Sequence, residues 1–349
     1  MQPTSRATIE DVAALAGVSI KTVSRVVNNE PNVRANTRER VQQAVSELKY
    51  TPNVSARNLA SHRSHLIVLV YDDPSSDEIP SSGFAIKMQE GALSACKRGG
   101  YELLIHPSNY RDEDFADKLN NIVVQLRPAG IVLAAPLSTD KRIVQAVRET
   151  GVPFVRLSTG EKTTRREYVV GTNDREVSAE MVAYLASLGH TDIAFIAGHA
   201  SFKDISNRLS GYRDGLEKAG LRVTDALVAQ GDNSLESGEE AATRLLKRKK
   251  RPTAIFAATD TMAAGALRAA YKLGIRVPED LSVAGCDDFS IAQLTYPTMT
   301  TIRQPVSLIT EKATSALIGA SESNPLKACV DTEPATLIVR ESTGPAPTT

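Results

Sequence analysis

The sequence predicts an α/β protein: a three-helix amino-terminal head carrying a helix-turn-helix, a hinge segment meant to become helical, and a core of two parallel β/α subdomains. Three observations carry that reading. Residues up to Tyr50 place apolar side chains at helical spacing, whereas from Leu66 onward short apolar strand runs alternate with helix-length segments. The chain has 349 residues, more than one ordinary domain. Charge is divided unevenly: Lys plus Arg and Asp plus Glu balance at 41 each, yet residues 1 to 65 hold nine basic side chains against five acidic ones. A basic head on a more acidic body suits a chain that meets a polyanion at one end.

The head opens at Thr8, with Asp11 as a capping-box partner and Val12, Ala13 and Ala16 as the inward stripe of a first helix. Gly17 permits the turn. Ser19 caps a second helix whose Val23 and Val26 face inward, leaving Ile20, Lys21, Thr22, Ser24, Arg25 and Asn28 outside. Two short helices joined by a glycine turn make a helix-turn-helix, whose second helix enters the major groove of DNA. Ile20, Lys21 and Arg25 are the candidate base readers: Arg25 by a forked bond to guanine O6 and N7, Lys21 to guanine or phosphate, Ile20 on a thymine methyl. Thr8, Ser19, Thr22, Ser24 and Asn28 are candidate phosphate anchors. A third helix, its start framed by Asn36 and Glu39, carries Val41, Ala44, Val45 and Leu48 to close a small core. The plainer alternative is a helical bundle with a solvated charged face.

Tyr50-Thr51-Pro52 ends the third helix, because proline disfavours helix in the residue before it. Residues 53 to 60, NVSARNLA, offer one strong apolar side chain, Leu59, and are too short to be helical without a partner. A flexible linker is the alternative there.

The helix-turn-helix, the supporting helix, the Tyr-x-Pro-Asn break at Tyr50 to Asn53 and the Ala-Arg-x-Leu hinge at Ala56 to Leu59 resemble the lactose-repressor (LacI/GalR) family of bacterial regulators, and the likeness runs through essentially the whole chain. The resemblance implies a transcription regulator, a repressor by expectation, that binds pseudo-palindromic double-stranded operator DNA as a homodimer. It implies that Tyr50, Asn53, Ala56, Arg57 and Leu59 meet DNA, with the hinge segments of two subunits paired in the minor groove and Leu59 wedged into the central base step. Such a wedge unstacks the step and bends the duplex, a cost offset by added contacts. It further implies a regulatory core similar to periplasmic sugar-binding proteins, with a small sugar or sugar-derived effector in a cleft and carbohydrate-utilisation genes as targets. The sign of the response and dimer versus tetramer are left open.

In the body, the runs LIVLV (66–70), YELLI (101–105), GIVLAA (130–135) and PFVRL (153–157) form one strand series, and EYVVG (167–171), DIAFIAG (192–198), TAIFAA (253–258) and LSVAGC (281–286) a second. GALSACKRGGYEL and GLEKAGLRV both run a helix into glycine and then a strand, the glycine serving as a left-handed cap. The expected domains are the head at 1–50, the hinge at 51–64, one core half at 65–164 plus 299–332, the other at 165–298 plus 333–342, and a tail at 343–349.

Ligand crevices in open α/β sheets lie beyond the carboxyl ends of strands. By that rule and by the resemblance, the candidate effector-binding residues are Asp73, Phe84 and Arg156 in the first half and Arg208, Asp260 and Asp287 in the second. SNRLSGYRDGL (206–216) is similar to the family's Arg-x-x-Gly-aromatic motif, which implies that the planar fork of Arg208 holds effector hydroxyls. Strand-end aspartates also cap helices, the simpler role for Asp260. Thr259 stands where many members have Asn, and Arg156 where some sugar-responsive members have an acid. Arg156 with Arg208 would suit an anionic effector, but the carboxylates of Asp73, Asp260 and Asp287 weigh toward a neutral sugar.

Enzyme, cofactor and metal chemistry find no foothold. There is no Gly-x-Gly for a dinucleotide, no GxSxG elbow and no HExxH, and the five histidines lack ligand spacing. His190, in a Gly-His-Thr turn, is expected to be a structural hydrogen bonder. The three cysteines are widely spaced, which gives neither a disulfide framework nor a metal pair. With no apolar signal core and no membrane-length apolar run, a cytoplasmic location is expected. The rival readings are a transporter-feeding solute-binding protein, which leaves residues 1 to 60 unexplained, and a sugar-active enzyme built on Asp287 and Asp288. Adjacent carboxylates point apart, whereas glycoside hydrolysis wants them about 5 to 10 Å apart across the substrate.

Overall fold

The computed structural model describes residues 7–27, 33–50, 64–73, 83–109, 111–157, 167–200, 202–320 and 324–347. The chain divides into two units, Met1–His65 and Leu66–Thr349.

The first unit holds α1 (Ile9–Ala16), α2 (Ile20–Val27) and α3 (Ala35–Glu47). At the start of α1, Thr8 Oγ1 accepts from the Asp11 amide while the Asp11 carboxylate accepts from the Thr8 amide, a full capping box. Gly17, at φ +62°, ends α1 in the left-handed region and lets the chain reverse into α2. Ser19 then accepts from the Thr22 amide at 3.2 Å. Val12, Ala13, Ala16, Val23, Val26, Val41 and Ala44 form the buried centre, with Val45, Leu48 and Tyr50 packed partly buried against it. One expectation fails: Arg34 occupies the cap position of α3 without a side-chain bond, and Asn36 lies inside the first turn.

In the second unit, β1 (Leu66–Asp72), β2 (Glu102–Ser108), β3 (Gly130–Leu133), β4 (Phe154–Leu157), β5 (Tyr168–Thr172) and β11 (Cys329–Glu333) form a parallel sheet in the order β11-β5-β4-β3-β1-β2. One face carries α4 (Gly83–Gly99) and α12 (Val306–Gly319), which bury Met88, Ala92, Cys96, Ile309, Ala313 and Leu317 on the sheet. The other face carries α5 (Phe115–Leu126) and α6 (Lys141–Glu149), with Phe115, Leu119, Ile143 and Val147 inward. Helices on both faces leave the strands with no polar side, hence the continuous Val, Ile and Leu runs. At Gly91 the two helices meet backbone to backbone, since a Cβ there would lie 2.1 Å from the Ser307 carbonyl oxygen.

The second half is built on a parallel sheet of β6 (Ile193–Ala197), β7 (Val228–Gln230), β8 (Ala254–Ala257) and β9 (Ser282–Ala284), ordered β7-β6-β8-β9. It is enclosed by α7 (Asp174–Ser187), α8 (Lys203–Lys218), α9 (Leu235–Leu246) and α10 (Asp260–Lys272) around Phe195, Tyr212 and Phe256. The stacked rings of Phe195 and Tyr212 are 5.0 Å apart. A short α11 (Ser290–Leu294) follows, and β10 (Thr301–Arg303) pairs antiparallel with β12 (Thr336–Ile338).

Two boundaries differ from the sequence-based division. The EYVVG strand belongs to the first sheet, where β5 pairs with β4 and β11. The reason is local: Glu167, just before β5, is buried in an ion pair with Arg156 of β4 at 2.8 Å, and Arg148 joins the same carboxylate. Residues 299–303 belong with the second half, because Thr300 and Arg303 bridge to Ala284 and Asp287 at the edge of β9. The chain therefore crosses between the halves after β5, after β10 and after β11. At the crossings, Asn173 Oδ1 accepts from the Ala335 amide at 2.7 Å, and Gln304 donates to Asp287.

His190 is 1% exposed and joins three segments: Nδ1 bonds Thr253 Oγ1 at 2.9 Å, while Nε2 meets Ser282 Oγ at 3.0 Å and the Gly344 carbonyl at 3.1 Å. It is the structural bonder expected. Burial lowers its pKa from the ordinary 6.5, with the Gly344 bond opposing. A lowered folded pKa means that unfolding takes up a proton, so this contribution is complete above pH 6.5 and declines as pH falls through the window below it. Denaturant titrations at pH 7.5 and 5.5 should show His190→Ala losing about 1 to 3 kcal/mol at the higher pH, from orphaned buried partners. The variant's loss should be smaller at the lower pH; an equal loss at both would rule out this titration.

Candidate functional site

The DNA-facing candidate lies in the head. Val23 and Val26 are buried, which turns positions 20, 21, 24 and 25 of α2 to the opposite face, with Ile20 47% exposed and Lys21 and Arg25 exposed. The Ser19 and Thr22 hydroxyls share one hydrogen bond of 2.9 Å, so one of their two hydrogens stays available to an acceptor such as phosphate. Thr8 is less available than its sequence position implied: its hydroxyl donates to Asp11 Oδ2 at 2.9 Å and accepts from the Asp11 amide. Tyr50 packs its ring against the head core, which leaves the hydroxyl end as its polar handle. Asn28, Asn53, Ala56, Arg57 and Leu59 lie outside the described residues.

The second candidate is a cavity of about 460 Å³ between the two halves of the body, at the carboxyl ends of β1, β6, β7 and β9. Four of the residues nominated from the sequence line it: Asp73, Phe84, Arg208 and Asp287. The walls are aromatic, with Phe84 from the first half and Phe202 and Phe289 from the second, and Tyr71, Met88 and Ile205 extend the apolar surface. Polar side chains line it from strand-end loops, among them Asn109, Asp232 and Asn233, and Thr261 joins them from the first turn of α10.

Arg208, on α8, is 4% exposed. Its Nε donates to Asp174 Oδ1 at 2.8 Å, and Nη1 donates to the Ala258 carbonyl at 2.6 Å and lies 3.5 Å from Asp287 Oδ1. Nη2 makes no hydrogen bond among the described residues, which leaves two N–H donors on the cavity side of a fixed guanidinium. Burial works against the Arg208 charge, but the surrounding carboxylates outweigh it and hold the pKa well above normal. Burial pushes the pKa of the Asp287 carboxyl up, and the neighbouring Arg208 guanidinium pulls it back down. Asp287 also sits at φ +133°, a strained conformation for a residue with a side chain, held by its amide bond to Ile302 and by Gln304.

Two nominated residues do not line the cavity. Arg156 is 7% exposed and spent inside the first half, on the Ser138 carbonyl at 2.6 Å and on Glu167. Asp260 is fully buried beneath the site, accepting from Thr301 Oγ1 and from the Phe289 amide, while Thr259 is the true cap of α10. Burial raises the Asp260 pKa to about 6 despite those bonds. Both failures share a cause: a strand end fixes a residue's height in the sheet but not which layer its side chain enters. Asp288 turns away to Arg303 and Arg340, at 2.6 Å each, so it does not pair with Asp287 across the cleft.

The sequence reading missed Arg111, His199, Phe202, Asp232 and Phe289, all on loops after strands or at the start of a helix. The strand-end rule applied to GHASF (198–202) and GDNS (231–234) would have found some of them; β7, short and half-exposed, gave no apolar run to mark its loop. Contacts also reach across the cleft. Arg111 Nη2 lies 3.3 Å from His199 Nε2, and because arginine only donates, the imidazole lone pair accepts. On another side, Gly83 at the start of α4 faces Phe289 so closely that a Cβ would sit 2.5 Å from its ring.

The two-part architecture, a small helical head followed by a two-sheet core, is shared with known proteins. The model of the family "Bacterial regulatory proteins, lacI family" matches residues 8–53, and that of the "Periplasmic binding protein-like domain" matches residues 182–343. The HTH-type transcriptional regulator DegA of Bacillus subtilis is 35% identical over 97% of this chain and 99% of its own. Among solved structures, a transcriptional regulator CelR-cellobiose complex matches with TM-score 0.73 and 31% identity, over 97% of this chain and all of that one. A Lac repressor dimer bound to operator and the anti-inducer ONPF matches with TM-score 0.76 and 30% identity, over the same shares. With the capped helix-turn-helix, the two-sheet core and near full-length relatives at this identity, the chain belongs to the lacI family of bacterial regulatory proteins and is a DNA-binding transcription regulator, not an enzyme.

Proposed function

We propose that this regulator acts in the cytoplasm as a homodimeric repressor on a pseudo-palindromic operator, and that a neutral sugar in the cleft controls its grip on DNA. The observation that carries the effector reading is the open Nη2 of Arg208, a buried donor pair facing a cavity walled by aromatic rings. Aromatic faces suit the C–H surface of a sugar ring, and a planar fork suits adjacent hydroxyls. Charge favours a neutral ligand over an anion: Arg156 is turned away from the cavity onto Glu167, and Arg208 is matched by Asp174. The solved relatives are seen with cellobiose and with ONPG, which supports a glycoside-like occupant. No helix among the described residues is long and apolar enough to cross a membrane.

In this reading Ile20, Lys21 and Arg25 read bases, Ser19, Thr22, Ser24 and Asn28 hold phosphates, and Thr8 contributes through its helix start rather than a free hydroxyl. Tyr50, Asn53, Ala56, Arg57 and Leu59 carry the hinge contacts. The effector changes the angle between the core halves, which requires different affinity for the sugar in the two arrangements.

Arg25→Ala should cost about 1 to 3 kcal/mol of operator affinity and relax preference at one base pair, read by anisotropy on a randomised site library. An unchanged sequence preference would remove Arg25 from the base readers. Arg208→Lys retains a charge for Asp174 and Asp287 but loses the fork; isothermal titration should show sugar affinity down about ten- to a hundredfold, equivalent to about 1.4 to 2.8 kcal/mol. Sugar binding as tight as in the parent would refute the role of the guanidinium.

A further inference from the structure

We infer that the effector site has a second compartment, and that the effector is a two-unit sugar whose second ring lies beyond Arg111. The inference rests on the sugar reading above and extends it. Beside the main cavity lies a basin of about 630 Å³ at the carboxyl ends of β1 and β2, floored by Phe115 and Pro107. Asp73, Asn109 and Arg111 line both spaces, so the two adjoin one another along these three side chains. The crevice rule for open sheets applies to both, since they share one end of the first sheet.

The chemistry of the basin is that of a hydroxyl binder. His106 and Ser108, two residues apart on β2 and so on one face, form no side-chain hydrogen bond among the described residues, and both line the basin. Asn109 spends its Oδ1 on the Arg111 amide and, among the described residues, keeps both Nδ2 hydrogens. Together they present an imidazole, a hydroxyl and an amide, each able to exchange hydrogen bonds with a polyol. Its lysine is committed, Lys118 being paired with Asp112, and Arg111 and Asp73 contribute one charge of each sign to the lining. Burial and then Lys118 lower the His106 pKa, which favours the neutral ring. A phosphate or carboxylate would find no uncommitted lysine here, whereas a second sugar ring finds unspent donors and acceptors at the edge of the first ring's site.

The test is isothermal titration of the full-length protein with matched one- and two-ring neutral sugars: glucose against cellobiose and maltose, galactose against lactose, xylose against xylobiose. The parent protein should bind at least one disaccharide about tenfold or more tighter than its constituent monosaccharide. Ser108→Phe, which fills the basin with bulk, and His106→Ala, which removes its ring, should each erase that advantage and leave monosaccharide affinity unchanged. A monosaccharide bound as tightly as any disaccharide, or an advantage that survives both substitutions, overturns the second compartment and leaves the sugar reading intact. No heat with any sugar overturns both.

Discussion

A guanidinium held out of water between two carboxylates is the constraint on which the core depends. Arg208 belongs to α8, Asp174 begins α7, and Asp287 follows β9 and is held by Gln304 at a crossing between the halves. A buried ion pair is a weak source of stability, because desolvation offsets much of the attraction, but removing one partner leaves a charge stranded. The cluster therefore acts more as a register pin than as glue. The same pin forms a wall of the cleft, so a ligand that engages Arg208 acts on the group that fixes the junction between the two halves.

The two sheets differ in how openly the sequence declares them. Runs such as LIVLV and DIAFIAG mark β1 and β6 because strands covered on both faces must be apolar throughout. The strands without such runs are the exposed or marginal ones: β7 is half-exposed, and CVDTE in β11, at the sheet edge, has no buried residue. Sheet membership was not legible for EYVVG, since strand order depends on a partner outside the strand itself. Here that partner is Arg156, recruited by Glu167, an arginine the sequence reading had assigned to the ligand. One buried ion pair thus accounts for both errors.

The site was legible where a residue's role follows from local chemistry. Arg208 and Asp287 line the cleft as their motifs implied, and Asp73 and Phe84 follow from position after β1 and at the start of α4. Asp260 failed because an aspartate at a helix start is drawn equally to a ligand, to its own helix and to neighbouring segments; Thr301 and the Phe289 amide claim it. The head was easier, since capping and period act over a few residues. The box at Thr8, the left-handed Gly17 and the buried Val23 and Val26 all follow from spacing alone.

The tie between Asn173 and Ala335 has a mechanical meaning. Three passages of chain join the halves, and β5 with β11 on one side and β10 with β12 on the other keep neighbouring passages in hydrogen-bonded register. Parallel straps stitched together behave as a door hinge rather than a ball joint: swinging open and shut is cheap, while twist and slide would tear the stitching. A small molecule that alters the opening angle is thereby converted into motion along a single coordinate, in which every copy of the protein moves alike.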